Sequence, residues 1–136
     1  YRNNFPVNIE FTPQQVLPGI TQALWTAGDA TNGFAILLGG ASGDTWTARK
    51  SIAGVNHDST VTLTPVPGTT YTIVAGWSSV TGTTFSVGGN AGTAQSNTAD
   101  VTALTDASPH DLGTLAGTLP AFGSLRKSVA STYLLG

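Results

Sequence analysis

The sequence predicts an all-β protein, a two-sheet antiparallel jelly-roll sandwich that spans residues 1–136 as a single domain. Charged residues make up only 9% of the chain, against about a quarter in average globular domains, so few are available for the wet faces of helices. Threonine, valine, isoleucine and aromatic residues, which favour strands, are abundant. Turn signals recur roughly every 8 to 12 residues, as in sandwiches and barrels.

Alternating residues predict the first strand over Phe5 to Thr12, with Pro6 marking an edge position or the start of the strand. Its apolar face holds Phe5, Val7, Ile9 and Phe11. Gly33 to Gly39 is apolar on both faces, which predicts a central strand covered on both sides. Further strands are predicted at Ile20 to Ala27, Thr45 to Lys50 and Thr60 to Thr64, with a turn at Asn56 to Ser59.

The clearest strand in the second half covers Thr69 to Ser78, with Tyr71, Ile73, Ala75 and Trp77 on one side. Thr81-Gly82 predicts a tight turn into a strand at Thr83 to Val87, and Gly88 to Gly92 is typical of a hairpin. Later elements are a strand at Ala94 to Thr98, a loop through Asp106 to His110, and strands at Leu112 to Leu115 and Phe122 to Ala130.

Composition excludes several classes of function. The chain has no cysteine, which excludes disulfides, thiol catalysis and cysteine-ligated zinc. A net charge of −2 argues against nucleic-acid binding. The sequence contains no run of about 18 apolar residues, so no membrane span is predicted. Because the chain begins with Tyr1 and contains no methionine, we expect one module of a longer or processed polypeptide.

No constellation of residues predicts catalysis or a metal site. Glycoside hydrolysis needs two carboxyl groups, and Glu10, the only glutamate, falls on the outward phase of its strand. The dipeptides His57-Asp58 and His110-Asp111 provide too few ligands for a metal, so turn residues are the better interpretation. No G-x-S-x-G elbow is present. We therefore expect no enzyme, no metal and no cofactor.

The tryptophans are the candidates for ligand binding. Trp77 is in phase with the core face of its strand, and Trp25 suits either the core or the surface. Trp46 is flanked by threonines and lies near Asp44, an arrangement that suits sugar stacking with a directed hydrogen bond. The alternative, favoured about two to one, is that Trp46 packs inside the sandwich or in a subunit contact.

Three segments resemble the concanavalin A-like lectin and laminin-G family of jelly rolls: Pro67 to Trp77, Phe85 to Gly92 and Phe122 to Val129. They are similar to that family's middle strand, to the hairpin that follows it and to its closing strand. Short turns, many threonines and the lack of cysteine look most like the copies carried by bacteriophage virion proteins. The family's calcium-and-manganese carboxylate cluster and paired catalytic glutamates have no counterpart here, so the resemblance implies the fold and neither metal nor catalysis.

The resemblance implies a non-enzymatic virion module, such as a head-fibre, decoration or tail-fibre domain, displayed on the virion surface. Its partners would be copies of itself or other virion proteins, with adhesion to cell-surface glycans as a further role. The alternative is an extracellular carbohydrate-binding module of a secreted or cell-surface bacterial protein, because the same fold supports both.

Overall fold

Ten antiparallel strands in two sheets make up the computed structural model, which describes residues 5–102, 110–113 and 121–127. The first sheet has the order β10-β1-β6-β7-β8, and the second sheet has the order β5-β4-β3-β2-β9. The strands are β1 Phe5–Pro13, β2 Gln22–Gly28, β3 Gly33–Gly39, β4 Thr45–Ile52, β5 Val55–Thr62, β6 Tyr71–Ser78, β7 Gly82–Val87, β8 Asn90–Ala91, β9 His110–Leu112 and β10 Gly123–Lys127. The described residues contain no helix, so none of them forms a helix that could cross a membrane.

The alternation in the sequence correctly predicts which side chains face inward. On β1, Val7, Ile9 and Phe11 are fully buried, and on β6 the residues at alternate positions from Tyr71 to Trp77 are buried. Pro6 is the second residue of β1, near the start of the strand as predicted, and it pairs with Gly76 of β6. β3 has the predicted bounds, lies in the middle of the second sheet and is buried along its whole length.

The core lies between the sheets and is continuous from one to the other. Aromatic pairs join the layers: Phe11 and Tyr71 of the first sheet contact Trp46, with ring centroids 6.3 and 5.2 Å away. Trp77 of the first sheet lies 5.7 Å from Trp25 and 5.1 Å from Phe34. Sheet-on-sheet packing with aromatic contacts therefore supplies the hydrophobic interior.

The turn predicted at Asn56 to Ser59 is wrong, because these residues belong to β5. The chain reverses earlier, at Ala53-Gly54, between the paired residues Ile52 and Val55. Both turn residues have positive φ, 49° and 80°, as a two-residue type I′ hairpin requires. Ala53 carries no sequence signal for such a turn, whereas the asparagine and aspartate further on resemble one.

A strand at Ala94 to Thr98 is also absent, since only Gln95 makes an isolated bridge, to Thr83. This segment instead runs along the edges of both sheets. The loop predicted through Asp106 to His110 falls largely outside the described residues, and its last residue, His110, begins β9. The strand predicted at Leu112 to Leu115 shares only Leu112 with β9, because Gly113 already lies outside the strand, and residues 114–115 fall outside the described residues. The strand predicted at Phe122 to Ala130 is seen as β10 over Gly123–Lys127, and residues 128–130 are not among those described.

The first and last strands lie side by side in each sheet, since β1 pairs with β10 and β2 pairs with β9. Every pairing among the described strands is antiparallel. The predicted all-β fold with two antiparallel sheets is therefore confirmed, while the jelly-roll winding stays a prediction.

Candidate functional site

Trp46 is not the exposed sugar-stacking residue considered from the sequence. Its side chain is 0% exposed, and its indole Nε1 donates a hydrogen bond to the Leu63 carbonyl oxygen at 2.8 Å. Asp44 is half-buried, and its carbonyl oxygen accepts a hydrogen bond from the Leu63 amide. The two candidates thus hold the chain that leaves β5, and Trp46 packs in the interior. Thr45 and Thr47, which flank Trp46, face the opposite side of β4, away from the core, so their polarity says nothing about the environment of Trp46.

Glu10, considered for catalysis, and Asp58, considered with His57 as a metal ligand, both lie in cross-strand ion pairs. Glu10 accepts two hydrogen bonds from Arg126 across the β1–β10 pair, at 2.7 and 3.0 Å. Asp58 accepts two from Arg49 across the β4–β5 pair. His57 neighbours Lys50 in the register of that pair. The side chains of His110 and Asp111 fall outside the described residues.

The outward face of the second sheet carries a depression with a volume of about 240 Å³. Its floor includes Ala35 and Leu37, which with Ala23 form a small apolar cluster on the side of the sheet away from the core. Polar side chains stand around this floor. We call the depression the second-sheet groove; its lining includes Thr21, Asp29, Ala35, Leu37, Arg49, Ser51 and Asn56.

A neutralised ion pair dominates the electrostatics of the groove. Arg49 Nε and Nη2 donate to the two carboxylate oxygens of Asp58 at 2.8 and 2.9 Å. This hydrogen-bonded pairing raises the pKa of Arg49 further, against the opposing effect of partial burial. The bidentate geometry fixes the guanidinium plane and leaves Nη1 outside the pair. The pair therefore presents an oriented donor without net charge, and Asp29 is the other ionisable residue in the lining.

The remaining polar groups of the groove are also held by local hydrogen bonds. Ser51 Oγ donates to Asn56 Oδ1 at 2.8 Å, which leaves the Asn56 amide nitrogen outside that bond. Asp29 Oδ1 accepts from the amides of Thr31 and Asn32, so the second carboxylate oxygen lies outside the turn. Donors and an acceptor are thus fixed around an apolar floor. This arrangement suits an uncharged ligand with several hydroxyl or amide groups.

The first sheet has a more open depression on its own outward face, lined by Glu10, Thr12, Thr70, Ser124, Leu125 and Arg126. It also centres on one ion pair, and the hydroxyls of Thr12 and Thr70 are 2.7 Å apart. No apolar cluster underlies it among the described residues. It offers a ligand less enclosure than the second-sheet groove.

Metal ligation finds no support in residues 5–102, 110–113 and 121–127, which contain no group of three or more His, Cys, Asp or Glu side chains that could hold an ion. Divalent cations are held by several such ligands.

The sequence analysis missed Lys50. Lys50 is 2% exposed and lies on the inward side of β4, two positions beyond Ala48. Nζ donates to the carbonyl oxygens of Asn97 and Ala99, each at 2.7 Å. Burial lowers the pKa of the Lys50 ammonium, and the negative charge of Asp100 opposes that shift. The sequence did contain a signal for this burial, because Lys50 shares the alternating phase of the strand with the apolar residues Trp46 and Ala48.

No protein-family model and no curated protein sequence matches the chain. Its function must therefore be argued from its own surfaces.

Proposed function

We propose that the chain is a non-enzymatic structural module displayed on a particle surface, of the kind that bacteriophage virions carry as head fibres, decorations or tail fibres. The observation that carries the proposal is the charge balance of the two outward sheet faces. Each has an arginine paired with a carboxylate, Arg126 with Glu10 and Arg49 with Asp58. Most other outward positions on these strands are threonine, serine, alanine or asparagine.

Such faces favour association between copies of one chain. Because the pairs are internally neutral, two copies that approach face to face meet little like-charge repulsion. Short side chains on a sheet give a flat surface, and homo-oligomers are generally built from such repeated patches about a symmetry axis. The resemblance to virion-borne jelly rolls supplies the setting, a particle on which many copies are arrayed.

Association is tested by measuring the mass of the purified chain by light scattering over a wide range of concentration. We expect oligomers of defined size. Arg126→Glu, which places two acidic groups together on the first sheet, should weaken association if that face is used. Val80→Ala, at an exposed position in a turn, is the control. A strict monomer at every concentration that also fails to bind particles would overturn the proposal.

A carbohydrate-binding module is the second candidate, and the second-sheet groove favours it. The groove contains the internally neutral Arg49–Asp58 pair and one further carboxylate, Asp29, and it offers both donors and an acceptor. At about 240 Å³ it is smaller than the roughly 300–1,000 Å³ typical of drug-sized ligand sites. A single sugar ring of a glycan chain has the matching chemistry: an apolar face and a rim of hydroxyls.

A glycan array tests this candidate. Asn56→Ala removes one fixed amide from the groove and should reduce any binding several-fold, whereas Thr84→Ala on the outward face of the first sheet should leave it unchanged. Binding that is unchanged in Asn56→Ala would place the ligand elsewhere. Failure to bind any glycan would remove the candidate.

A further inference from the structure

Residues 92–101, which we call the strap, follow β8 and lie along one side of the sandwich. On this side β5 is the edge of the second sheet, and β7 of the first sheet is covered by the two-residue strand β8 only at Ser86 and Val87, which leaves Gly82 to Phe85 as an edge. Except for Val101, which is 1% exposed, no strap residue is buried. The strap therefore adds little to the core. Its contacts with the sheets are made mainly by hydrogen bonds.

Those hydrogen bonds occupy main-chain groups at the edge of each sheet. On β5, Thr60 N donates to Thr93 Oγ1 at 3.0 Å, and Thr60 O accepts from Thr93 N at 2.9 Å. The Asp58 carbonyl of β5 accepts from Gln95 Nε2 at 3.2 Å. On β7, Thr83 N donates to Gln95 O at 2.9 Å, and Phe85 O accepts from Gly92 N at 2.8 Å. One segment thus caps both edges.

β7 is a strand for which an open edge is hazardous. Its sequence, Gly-Thr-Thr-Phe-Ser-Val, contains no charge and no proline. Short segments of high β-propensity and low charge pair readily with copies of themselves. Natural sheet proteins protect such edges with lysine, proline, bulges or a covering segment. Of these devices, β7 has the covering segment.

Buried polar anchors hold the strap in place. Lys50 Nζ binds the carbonyls of Asn97 and Ala99, and Ser59 Oγ donates to the Thr93 carbonyl at 2.6 Å. Gly92 passes so close to the sheets that a Cβ there would lie 2.5 Å from Ser59 Oγ and 3.1 Å from the Phe85 ring. Such a closely fitted, polar attachment opens more easily than the core because it buries few apolar groups.

We propose that the strap is an edge guard: while Lys50 and Ser59 hold it, β5 and β7 cannot pair with strands of a second copy, and its release makes them an interaction surface for that partner. Native copies would then associate through sheet faces and not through these edges. The guard does not depend on the function proposed above, and the two can fail separately.

Gly92→Ala and Ser59→Ala test the guard. The first introduces the clash described above, and the second removes only a hydroxyl, so it carries the test if the first variant does not fold. Thr98→Ala, an exposed strap position, is the matched control. Amide hydrogen exchange at Thr60 and Thr83 reports whether the strap is released, and light scattering over a range of concentration reports association.

We expect exchange at these amides to rise by about tenfold or more in the anchor variants, together with new concentration-dependent association beyond that of the parent chain. Thr98→Ala should behave like the parent. Rapid exchange without added association would overturn the guard, as would unchanged exchange in both anchor variants. A parent chain that stays monomeric while the anchor variants associate would support the guard and count against the proposed structural function.

Discussion

Trp46 and Lys50 lie on the same inward side of β4, four residues apart, and both are almost fully buried. Their different environments follow from position along the strand. Trp46 meets the rings of Phe11 and Tyr71 from the opposite sheet. Lys50 lies where strap carbonyls can solvate its ammonium. A buried cation is tolerated only with such hydrogen-bonding partners.

Replacing Trp46 tests its assignment to the core. Trp46→Ala should lower the free energy of unfolding by about 3–5 kcal/mol because it removes a large buried ring and leaves a cavity. Trp46→Phe should cost about 1–3 kcal/mol, since the Leu63 carbonyl loses its buried donor. Urea unfolding measures both. Val80→Ala, at a residue that is 80% exposed, is the control, and an equally small effect of Trp46→Ala would contradict the assignment.

Lys50 should make stability depend on pH. In the folded chain, burial holds the pKa of Lys50 below the ordinary value of about 10.4 that applies when the chain is unfolded. Between those two pKa values the unfolded state binds more protons, so the free energy of unfolding rises with pH. Below the lowered pKa, both states are protonated and the dependence disappears.

Lys50→Met isolates this effect because it lacks the titrating group. The difference in free energy of unfolding between the parent and this variant should become more favourable to the parent as pH rises toward about 10. Urea unfolding at a series of pH values supplies the difference. A difference that falls with pH would mean that the carbonyls and Asp100 stabilise the ammonium more than burial penalises it.

At the scale of elements, the β4–β5 hairpin shows how a turn can be set without its usual residues. Ala53 has φ 49° and Gly54 has φ 80°. The Ala53 amide donates to Asn32 Oδ1 at 3.0 Å, and the Gly54 amide donates to the Thr31 carbonyl at 2.9 Å. The neighbouring β2–β3 turn thus stabilises a left-handed alanine that costs roughly 1–2 kcal/mol.

Ala53→Asn should stabilise the protein by about 0.5–1 kcal/mol, because asparagine tolerates positive φ better than alanine. The hydrogen bond from the backbone amide of residue 53 to Asn32 is retained in this variant. Gly54→Ala should destabilise it by about 1 kcal/mol, since nothing lies within 4 Å of the added Cβ and backbone strain alone acts. Thermal unfolding compares the two. Destabilisation by Ala53→Asn would show that the turn does not have the I′ geometry in solution.

At the scale of the whole molecule, one hydrophobic cluster includes residues of both sheets. Hydrogen bonds also join the two sheets, by way of the strap and beside β10. The strap bonds to β5 and β7, and Gln22 Oε1 of β2 accepts a hydrogen bond from the Phe122 amide beside β10. Neither sheet can therefore keep its inner face dry without the other.

The two sheets should unfold in one transition. All three tryptophans lie in the shared core, at most 3% exposed, so their fluorescence reports inter-sheet packing, while far-ultraviolet circular dichroism reports the strands. The midpoints of the two urea transitions should coincide, as in a two-state domain. Separate midpoints would show that one sheet persists without the other.

Much of the fold was predictable because the period-2 pattern is a local property. On β1 and β6 one face meets the core, and apolar residues stand at alternate positions of the sequence. β3 is covered on both faces, and its sequence is apolar throughout. The candidate site was not predictable in the same way. The sequence left Trp46 open between sugar stacking and the interior, with the interior favoured, and it gave Lys50 no role; the contacts of both residues with distant segments became visible only in the structure.

By itself, the sequence determined that the protein is built of strands, which faces of β1 and β6 turn inward and that Trp77 belongs to the core, because alternation, low charge and strand propensity act over a few residues. Only the tertiary structure decided that Ala53-Gly54 turns the chain, that residues 92–101 cap two edges and that Arg49, Ser51 and Asn56 meet around one groove. Those outcomes depend on strand register and on contacts between segments that are distant in the sequence. They are set by the free energies of packing and hydrogen bonding between those segments, which no short stretch of sequence contains.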